Sequence, residues 1–553
     1  MHLVINKSKH AGSKKIYQSV LLRTSYRENG KVKKKTIANL SGCTPEEIEA
    51  IKLALKHKDD LGAFTEANKA ITLKEGLSVG AVWTVYQIAK GLEINSVLGD
   101  SHEGKLALWQ VIARVISQGS RLSAVRLAQT HAACDILGIK TSFNEDDLYK
   151  NLGWLSEKQE AMEDKLFESR YDGDGVPEIF LYDVTSSYLE GELNYFGEYG
   201  YNRDGKKGKK QIVIGLLCDG TGNPVSVEVF RGNTQDVKTF GSQIKKSAER
   251  FGCKRVTFVG DRGMIKSSQI EALPEGFNYI TAITKPQIEK LIKSGLIQIG
   301  MFEDQVCEVL QDGVRYVLRR NPVRAEEIAN GRKSKVAAIT KLIDKKNLYL
   351  DGHKKADSGK ALNAVNAKIK RLKAEDWLTA ATEGRRITLT TNDQKLNEEM
   401  LLDGCYVIKT DLPKEAVDSQ AVHDRYKDLA NVEHAFRTCK TGLLEVRPLF
   451  VRTEKSTRGH VFVVMLAYMI IMKLSQAWAS FNLTVEEGLN QLSTLCCTEV
   501  IIDGHVNCIQ IPDPRDQSKD LLAALNITMP RALTHRHVHV DTRKKLQSSR
   551  KTL

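Results

Sequence analysis

The stretch that decides the fold is Ile179-Phe180-Leu181-Tyr182-Asp183-Val184, an apolar run with one acidic residue near its end. A short run rich in aromatic and β-branched residues predicts a strand. Four more strands are expected after it, at residues 211–217, 224–230, 255–260 and 277–283, with helices at about 236–251 and 265–273. Gly222-Asn223 predicts a tight turn, so the second and third strands should pair antiparallel.

This order of elements is that of a ribonuclease-H-like fold: three strands, a helix, a strand, a helix and a last strand. It predicts an α/β catalytic core with a mixed sheet, in which the first and fourth strands are adjacent and parallel. Asp183 would end the first strand, and Asp261 follows the fourth directly. A charged Asp at the end of an apolar run is costly unless it is paired or bound to a metal. Either residue alone is also typical of a loop that begins after a strand. Their shared place in the fold favours one common site.

A helix is predicted at about residues 419–440, and it carries a polar stripe. Tyr426, Glu433 and Lys440 are seven residues apart, and seven residues rotate a helix by about 700°, so all three lie on one side. Core packing does not explain such a stripe. The alternative is that Arg437, four residues after Glu433, only pairs with it on the helix surface.

Composition indicates a multidomain protein that binds a polyanion. With 553 residues, three or four domains are expected. The net charge is +14, and Lys and Arg are clustered. Each cluster alone is also typical of a solvated surface, but several together favour nucleic acid. The clusters are Lys31, Lys33, Lys34 and Lys35; Arg203, Lys206, Lys207, Lys209 and Lys210; and Arg543, Lys544, Lys545, Arg550 and Lys551.

No part of the chain indicates a secreted or membrane protein. The apolar run at 461–474 is short for a bilayer span. The N-terminus lacks the pattern of a secretory signal, and the ten scattered cysteines favour reduced thiols. A cytoplasmic, nucleoid-associated protein is therefore expected.

Six segments are expected along the chain, from the N-terminus to the C-terminus. They are a small basic β-rich domain with a β-hairpin (1–60), a helical DNA-binding domain (61–170), the first part of the catalytic core (171–284), a β-rich insertion (285–410), the second part of the core (411–480) and a C-terminal region (481–553).

The motifs resemble those of the DDE transposases of bacterial insertion sequences, in the group with a β-rich insertion before the last carboxylate. The likeness rests on Tyr182-Asp183-Val184-Thr185, on residues 231–236 (RGNTQD), on residues 259–264 (VGDRGM) and on the Tyr426, Glu433 and Lys440 helix. The family's helix carries an Arg three residues after the Tyr, where this chain has Leu429. That DNA contact would then come from Arg425 or Arg437. The resemblance covers about residues 176–475.

The resemblance implies catalysis by Asp183, Asp261 and Glu433, which would hold two divalent ions. Carboxylates are hard ligands that suit Mg²⁺ or Mn²⁺, and two ions about 4 Å apart activate water and stabilise a leaving oxygen. The implied partners are double-stranded DNA, as terminal inverted repeats and as target, and a second copy in a homodimeric synaptic complex. The residues expected to contact DNA are Tyr426, Lys440, Arg437, Lys206, Lys207, Lys209, Lys210 and Trp377, the last by stacking on a displaced base.

Several alternatives remain open from the residues. One is a ribonuclease-H-like nuclease or resolvase without strand transfer, and another is a DNA-binding regulator derived from a transposase. Trp377 is also typical of a core residue. Cys496, Cys497, His505 and Cys508 match no common zinc spacing, so buried thiols are favoured.

Overall fold

The computed structural model describes most of the chain. The described residues are 1–9, 16–28, 30–56, 58, 71–171, 176–440, 444, 446, 447, 449–502, 505–534, 536 and 538–543. The basic residues Lys544, Lys545, Arg550 and Lys551 lie outside them, as do the side chains of His505 and Cys508.

The N-terminal part is a three-stranded antiparallel sheet followed by a helix. Its elements are β1 (His2–Lys9), β2 (Ile16–Glu28), β3 (Lys31–Asn39) and α1 (Pro45–Lys56). Gly30 has φ +77° between β2 and β3, a conformation that favours glycine. The predicted basic hairpin is confirmed, and β1 adds a strand that the sequence did not predict.

A helical part follows, preceded by one unpredicted strand. Its elements are β4 (Ile71–Ser78), α2 (Gly80–Gly91), α3 (Ile94–Leu98), α4 (His102–Ile116), α5 (Arg121–Thr130), α6 (Ala133–Leu137) and α7 (Glu145–Arg170). α7 begins where the Asn144 side chain accepts from the Asp147 N–H, while Asp147 accepts from the Asn144 N–H in return. This capping box satisfies backbone donors that the first helical turn leaves open.

The first part of the catalytic region has the predicted order. Its elements are β5 (Ile179–Tyr188), β6 (Gln211–Asp219), β7 (Pro224–Arg231), α8 (Asp236–Lys245), β8 (Val256–Gly260), α9 (Ser267–Ile270) and β9 (Phe277–Ala282). β5 pairs antiparallel with β6, and β6 antiparallel with β7. β5 also pairs parallel with β8, so the predicted adjacency of the first and fourth strands is confirmed.

The segment at 285–410 is mainly helical, so its description as β-rich is wrong. It comprises α10 (Lys285–Lys293), β10 (Cys307–Gln311), β11 (Val314–Arg320), α11 (Pro322–Gly352), α12 (Ser358–Arg371), β12 (Leu378–Glu383), β13 (Arg386–Thr391), α13 (Asp393–Met400) and β14 (Cys405–Thr410). β10, β11 and β14 extend the main sheet, whose order is β10-β11-β14-β9-β8-β5-β6-β7. The β12–β13 hairpin packs with α11 and α12 into a separate apolar core.

The remaining elements complete the site and tie the ends of the chain together. They are α14 (Ser419–Lys427), α15 (Leu429–Lys440), α16 (Glu454–Ala477), α17 (Val485–Ser493), β15 (Cys496–Ile502), β16 (His505–Gln510), α18 (Asp516–Ala524) and β17 (Ala532–Leu533). The single helix predicted at 419–440 is interrupted at Asp428, where the Asn431 N–H bonds to the Asp428 carbonyl, three residues back, at 2.9 Å. β15 pairs with β4, which joins the C-terminal region to the helical part.

α16 is the central helix of the largest apolar core. By length and composition it is the one helix among the described residues that could cross a membrane, and 72% of its apolar window is buried inside the protein. It packs against α4, α7 and β7. Its apolar side chains are therefore already covered by the protein, as in the core helix of a globular fold.

Candidate active site

The strand register brings Asp183 next to Asp261. Tyr182 pairs with Gly260 at the end of β8, so Asp183 and Asp261 are the next residues on two adjacent parallel strands. The expectation that Asp183 ends its strand is wrong, because β5 continues to Tyr188 along β6. Asp183 instead lies at the point where β8 stops on one side of β5 and β6 continues on the other. Its carboxylate therefore has an open edge of the sheet beside it.

The environment of Asp183 disfavours an isolated negative charge. Burial raises the pKa of Asp183 to about 7, and the negative charges of Asp261 and Glu433 act in the same direction. The Val184 N–H, which donates to Oδ1 at 2.7 Å, and the positive charge of Arg203 oppose the rise. Excess negative charge is thus concentrated at this point.

Asp261 is held by the turn that follows β8. The Arg262 N–H donates to Asp261 Oδ1 at 2.7 Å. The Thr281 hydroxyl, on neighbouring β9, donates to the Asp261 carbonyl at 3.3 Å. Asp261 is exposed, so a substrate can reach its carboxylate from solvent.

Glu433 comes to the site from α15. That helix buries Leu429, Val432, Ala435 and Phe436 and packs on β5, which leaves Glu433 exposed at the edge of the contact. Asp183, Asp261 and Glu433 line one cavity of about 230 Å³. The three side chains therefore face one cavity, as predicted, while a spacing that lets them share two metal ions stays a prediction.

The three carboxylates share a cavity without forming a closed cluster. Among the described residues, no three His, Cys, Asp or Glu side chains are close enough to form a preassembled metal-ligand set. Like charges repel each other, so carboxylates that face one cavity are expected to stand apart.

Tyr426 lies closer to the carboxylates than expected. Its hydroxyl donates to Asp261 Oδ1 at 3.4 Å, whereas seven residues of an uninterrupted helix would place Tyr426 about 10 Å from Glu433. The interruption at Asp428 places Tyr426 on α14 and Glu433 on α15. Burial, and then the charge of Asp261, raises the pKa of Tyr426, so its hydroxyl remains a donor.

Arg203 and Asp236 are two cavity residues whose role sequence reasoning missed. Arg203 Nη2 donates to both carboxylate oxygens of Asp236 at 2.7 Å, and both side chains line the cavity with the three acids. A signal was present, since Asp236 ends the motif at 231–236 and begins α8. The ion pair neutralises Asp236, which leaves three carboxylates without such a partner among the residues of this cavity.

Lys440 does not extend into solvent, which corrects the expectation that it contacts DNA from the helix surface. Its Nζ donates to Asp204 Oδ1 at 2.9 Å, and Arg447 Nη1 bonds to the same oxygen. The side chain of Lys440 is 11% exposed and that of Asp204 is 1% exposed. Burial lowers the pKa of Lys440, and the bond to Asp204 opposes this. Lys440 is therefore paired with a carboxylate inside the protein.

The basic loop before β6 remains a candidate DNA contact. Lys206, Lys207 and Lys209 are exposed. Lys209 pairs with Glu190 at 2.7 Å, and Lys210 donates to the Glu192 carbonyl at 3.4 Å. Arg437 is exposed on α15. A DNA role for these residues stays a prediction.

Trp377 is buried, so the expectation that it stacks on a displaced base is contradicted. Its side chain is 2% exposed and belongs to the core formed by α11, α12 and the β12–β13 hairpin. An indole that fills a core cannot present its face to a base without that core opening.

Comparisons with known proteins identify the family of this chain. Residues 174–470 match the family described as "Transposase DDE domain", and residues 3–67 match "IS1634 family transposase, N-terminal domain". No curated protein matches the chain. A solved piggyBac transposase synaptic complex with hairpin DNA is similar at 9% identity over 75% of each chain, with a TM-score of 0.36. That likeness is too low to carry an argument.

The family matches decide between the alternatives that the residues left open. A nuclease without strand transfer and a non-catalytic regulator are both disfavoured, because the transposase DDE domain accounts for more than half of the chain. Since that domain follows an insertion-sequence N-terminal domain, the protein belongs to the DDE transposases of insertion sequences, enzymes that cleave DNA and transfer its strands in a metal-dependent reaction.

Proposed function

We propose that this transposase cleaves the ends of its own element and joins the freed 3′-hydroxyls to target DNA, with Asp183, Asp261 and Glu433 as its catalytic carboxylates. One observation carries the proposal. The three acids come from β5, from the turn after β8 and from α15, and all of them line one cavity of about 230 Å³. Acids brought together from such distant parts of the chain, at a cost in electrostatic repulsion, are typical of a functional site.

The residues of the cavity fit two Mg²⁺ or Mn²⁺ ions. The donors are carboxylate oxygens, which these hard cations prefer over nitrogen and sulfur ligands. Burial and the neighbouring acids raise the pKa of Asp183 to about 7. Positive charge at the site would favour the ionised carboxylate and lower that pKa. When bound, such ions lower the pKa of water and stabilise the leaving oxygen of a phosphodiester.

The other side chains of the cavity prepare the three acids for this task. The Val184 and Arg262 N–H groups fix the orientation of Asp183 and Asp261. The Tyr426 hydroxyl adds a second donor to Asp261 from α14. Arg203 forms an ion pair with Asp236, so that this fourth acid does not compete for cations.

The fold around the site is proposed to be ribonuclease-H-like. The antiparallel strands β5, β6 and β7, the parallel pairing of β5 with β8 and of β8 with β9, and the position of α15 against β5 support this assignment. The insertion then enters between β9 and α14, and three of its strands enlarge the sheet.

DNA is proposed to approach along the exposed side of the three acids. Lys206, Lys207, Lys209 and Lys210 lie in the loop between β5 and β6, whose Arg203 lines the cavity. We assign this loop, with Arg437, to the phosphates of terminal inverted repeats or target DNA. A homodimer would hold two ends in one synaptic complex, in the cytoplasm and on the nucleoid.

A strand-transfer assay on the element's end sequences tests the proposal. Asp183→Asn, Asp261→Asn and Glu433→Gln should each lower the cleavage rate by roughly a hundredfold or more, since metal stabilisation of the transition state amounts to several kcal/mol. End binding should be largely retained. Glu157→Gln, an exposed acid on α7 paired with Lys455, is the matched control. Full cleavage by Asp183→Asn, or cleavage in excess chelator, would refute the assignment.

A further inference from the structure

A second cavity lies between the helical part and the segment before α16. Its volume is about 180 Å³, and its lining includes Arg114, Arg121, Tyr149, Arg447, Phe450 and His460. None of these residues lines the carboxylate cavity. Three of the six are cationic, and the described lining contains no acid.

Two of these arginines are buried to an unusual degree. The exposed fraction is 3% for Arg121 and 6% for Arg114. A guanidinium stays charged in proteins, and removing such a charge from water is costly unless an opposite charge compensates it. Arg121 Nη2 donates to a neutral acceptor, His460 Nδ1, at 2.6 Å, and one of the contacts of Arg114 is the bond from its Nη1 to the Leu444 carbonyl at 3.3 Å.

Two other buried arginines of this protein each pair with a carboxylate, unlike Arg121. Arg315, which is 2% exposed, pairs with Glu308 at 2.6 Å, and Arg332 pairs with Asp403. In the described part of the chain, no carboxylate lies within ion-pair distance of Arg121. Burial and the charge of Arg114 lower the pKa of Arg121 to about 9. The negative charge of a bound anion would oppose this lowering of the pKa.

His460 orients Arg121 without adding charge. Burial, together with the charges of Arg121 and Arg114, holds the pKa of His460 far below its usual range. The ring is therefore neutral at pH 7, and its Nδ1 accepts the hydrogen bond from Arg121. No other hydrogen bond of the Arg121 side chain occurs among the described residues, so its remaining donors can serve a ligand in the cavity.

We propose that this cavity binds a phosphate group of a DNA strand, with Arg121 as its central ligand. A guanidinium matches phosphate oxygens with two parallel N–H donors. Tyr149 and Phe450 also line the cavity and are 42% and 69% exposed. Exposed rings beside a phosphate site favour a nucleotide strand over free phosphate, because bases stack on them.

The phosphate site is connected to the catalytic helix. Arg447 lines the cavity and bonds both to the Lys440 carbonyl, at 3.1 Å, and to Asp204. Lys440 ends α15, the helix that carries Glu433. The identification of DNA as the source of the phosphate rests on the proposed function, whereas phosphate binding itself requires neither metal nor cleavage.

Thermal unfolding of the full chain in chelator tests the phosphate site. Inorganic phosphate at about 10 mM, compared with chloride at equal ionic strength, should raise the Tm of the wild type by mass action. Arg121→Gln should abolish the phosphate-dependent shift. Arg126→Gln, on the same helix and outside the cavity lining, should keep it.

The same variant distinguishes a ligand site from a structural arginine. Without phosphate, Arg121→Gln should unfold at the same Tm as the wild type or higher, because it removes a buried charge that has no carboxylate within ion-pair distance among the described residues. Arg121→Lys keeps the charge and should retain part of the phosphate shift. No phosphate shift in the wild type, or equal shifts in the wild type and Arg121→Gln, would overturn the proposal.

A salt titration of DNA affinity identifies the source of the phosphate. For duplex end DNA in chelator, Arg121→Gln should lower the slope of log affinity against log salt by about 0.9, the value of one phosphate contact. Phe450→Ala should weaken binding of a single-stranded oligonucleotide by about tenfold at an unchanged slope. Suppose that phosphate raises the Tm of the wild type but that Arg121→Gln and the wild type have the same slope of DNA affinity against salt. The site would then take free phosphate, which overturns the DNA assignment. Loss of cleavage in the carboxylate variants does not affect either measurement.

Discussion

Replacing Asp204 by Asn should loosen the helix that carries Glu433. Asp204 is 1% exposed and accepts from three groups: Lys440 Nζ at 2.9 Å, Arg447 Nη1, and the Tyr188 N–H at 3.1 Å. Asn keeps the size of the side chain and one acceptor oxygen but removes the charge. Two cations, with side chains 11% and 24% exposed, then face each other without a carboxylate.

The magnitude follows from that burial. Removing one partner of a buried ion pair costs roughly 3–5 kcal/mol, because the remaining charge is left uncompensated. We expect about 3 kcal/mol, the lower end of that range, since the Arg447 side chain can still reach water. The pKa of Lys440 should fall further, because burial already lowers it and the opposing bond to Asp204 is lost.

Native-state hydrogen exchange of α15 measures this effect locally. A multidomain chain has no single free energy of unfolding, whereas exchange reports the opening of one element. A loss of about 3 kcal/mol corresponds to exchange faster by roughly a hundredfold. Glu157→Gln breaks a pair whose side chains are 54% and 63% exposed and should leave α15 unchanged. Equal exchange of α15 in Asp204→Asn and the wild type would refute the reasoning.

Three other contacts lead to predictions of their own. Lys440→Met should leave the salt dependence of end-DNA affinity parallel to that of the wild type, because its ammonium is paired inside the protein; a slope lowered by about one phosphate would contradict this. Tyr426→Phe should slow cleavage by about tenfold with end binding retained, because Asp261 loses a hydrogen bond worth roughly 1.5 kcal/mol; an unchanged rate at limiting Mg²⁺ would count against it. Burial raises the pKa of Asp219, but hydrogen bonds, above all from the Tyr171 hydroxyl at 2.6 Å, bring it below the usual value. Asp219 therefore stabilises the fold above an unfolded pKa of about 3.9, and this stability is lost as the pH falls through the folded pKa. Tyr171→Phe should lower the Tm at pH 7 and by progressively less in acid, and an equal loss at every pH would refute the linkage.

The sequence by itself was sufficient for the parts of the fold that depend on local pattern. The apolar runs at 179–184 and 255–260 predicted strands, and the Gly222-Asn223 turn, with Gly222 at φ +87°, sets β6 against β7 as expected. The position of Asp261 directly after β8 and of Glu433 on a helix also followed from spacing. These features are determined within a few residues, so short-range preferences identify them.

Only the tertiary structure decided features that depend on partners far along the chain. Asp183 lies inside β5 because the pairing of β5 with β6 continues to Tyr188, and Lys440 is paired because Asp204, distant in sequence, is brought beside it. The segment at 285–410 proved mainly helical. Its longest helix, α11, exposes most of its length and lacks a clear apolar period, so the sequence pattern did not predict it. The Arg121 cavity is assembled from two parts of the chain that are about 300 residues apart, at 114–149 and 447–460. Burial and charge compensation arise when separate elements pack together, and no local pattern encodes them.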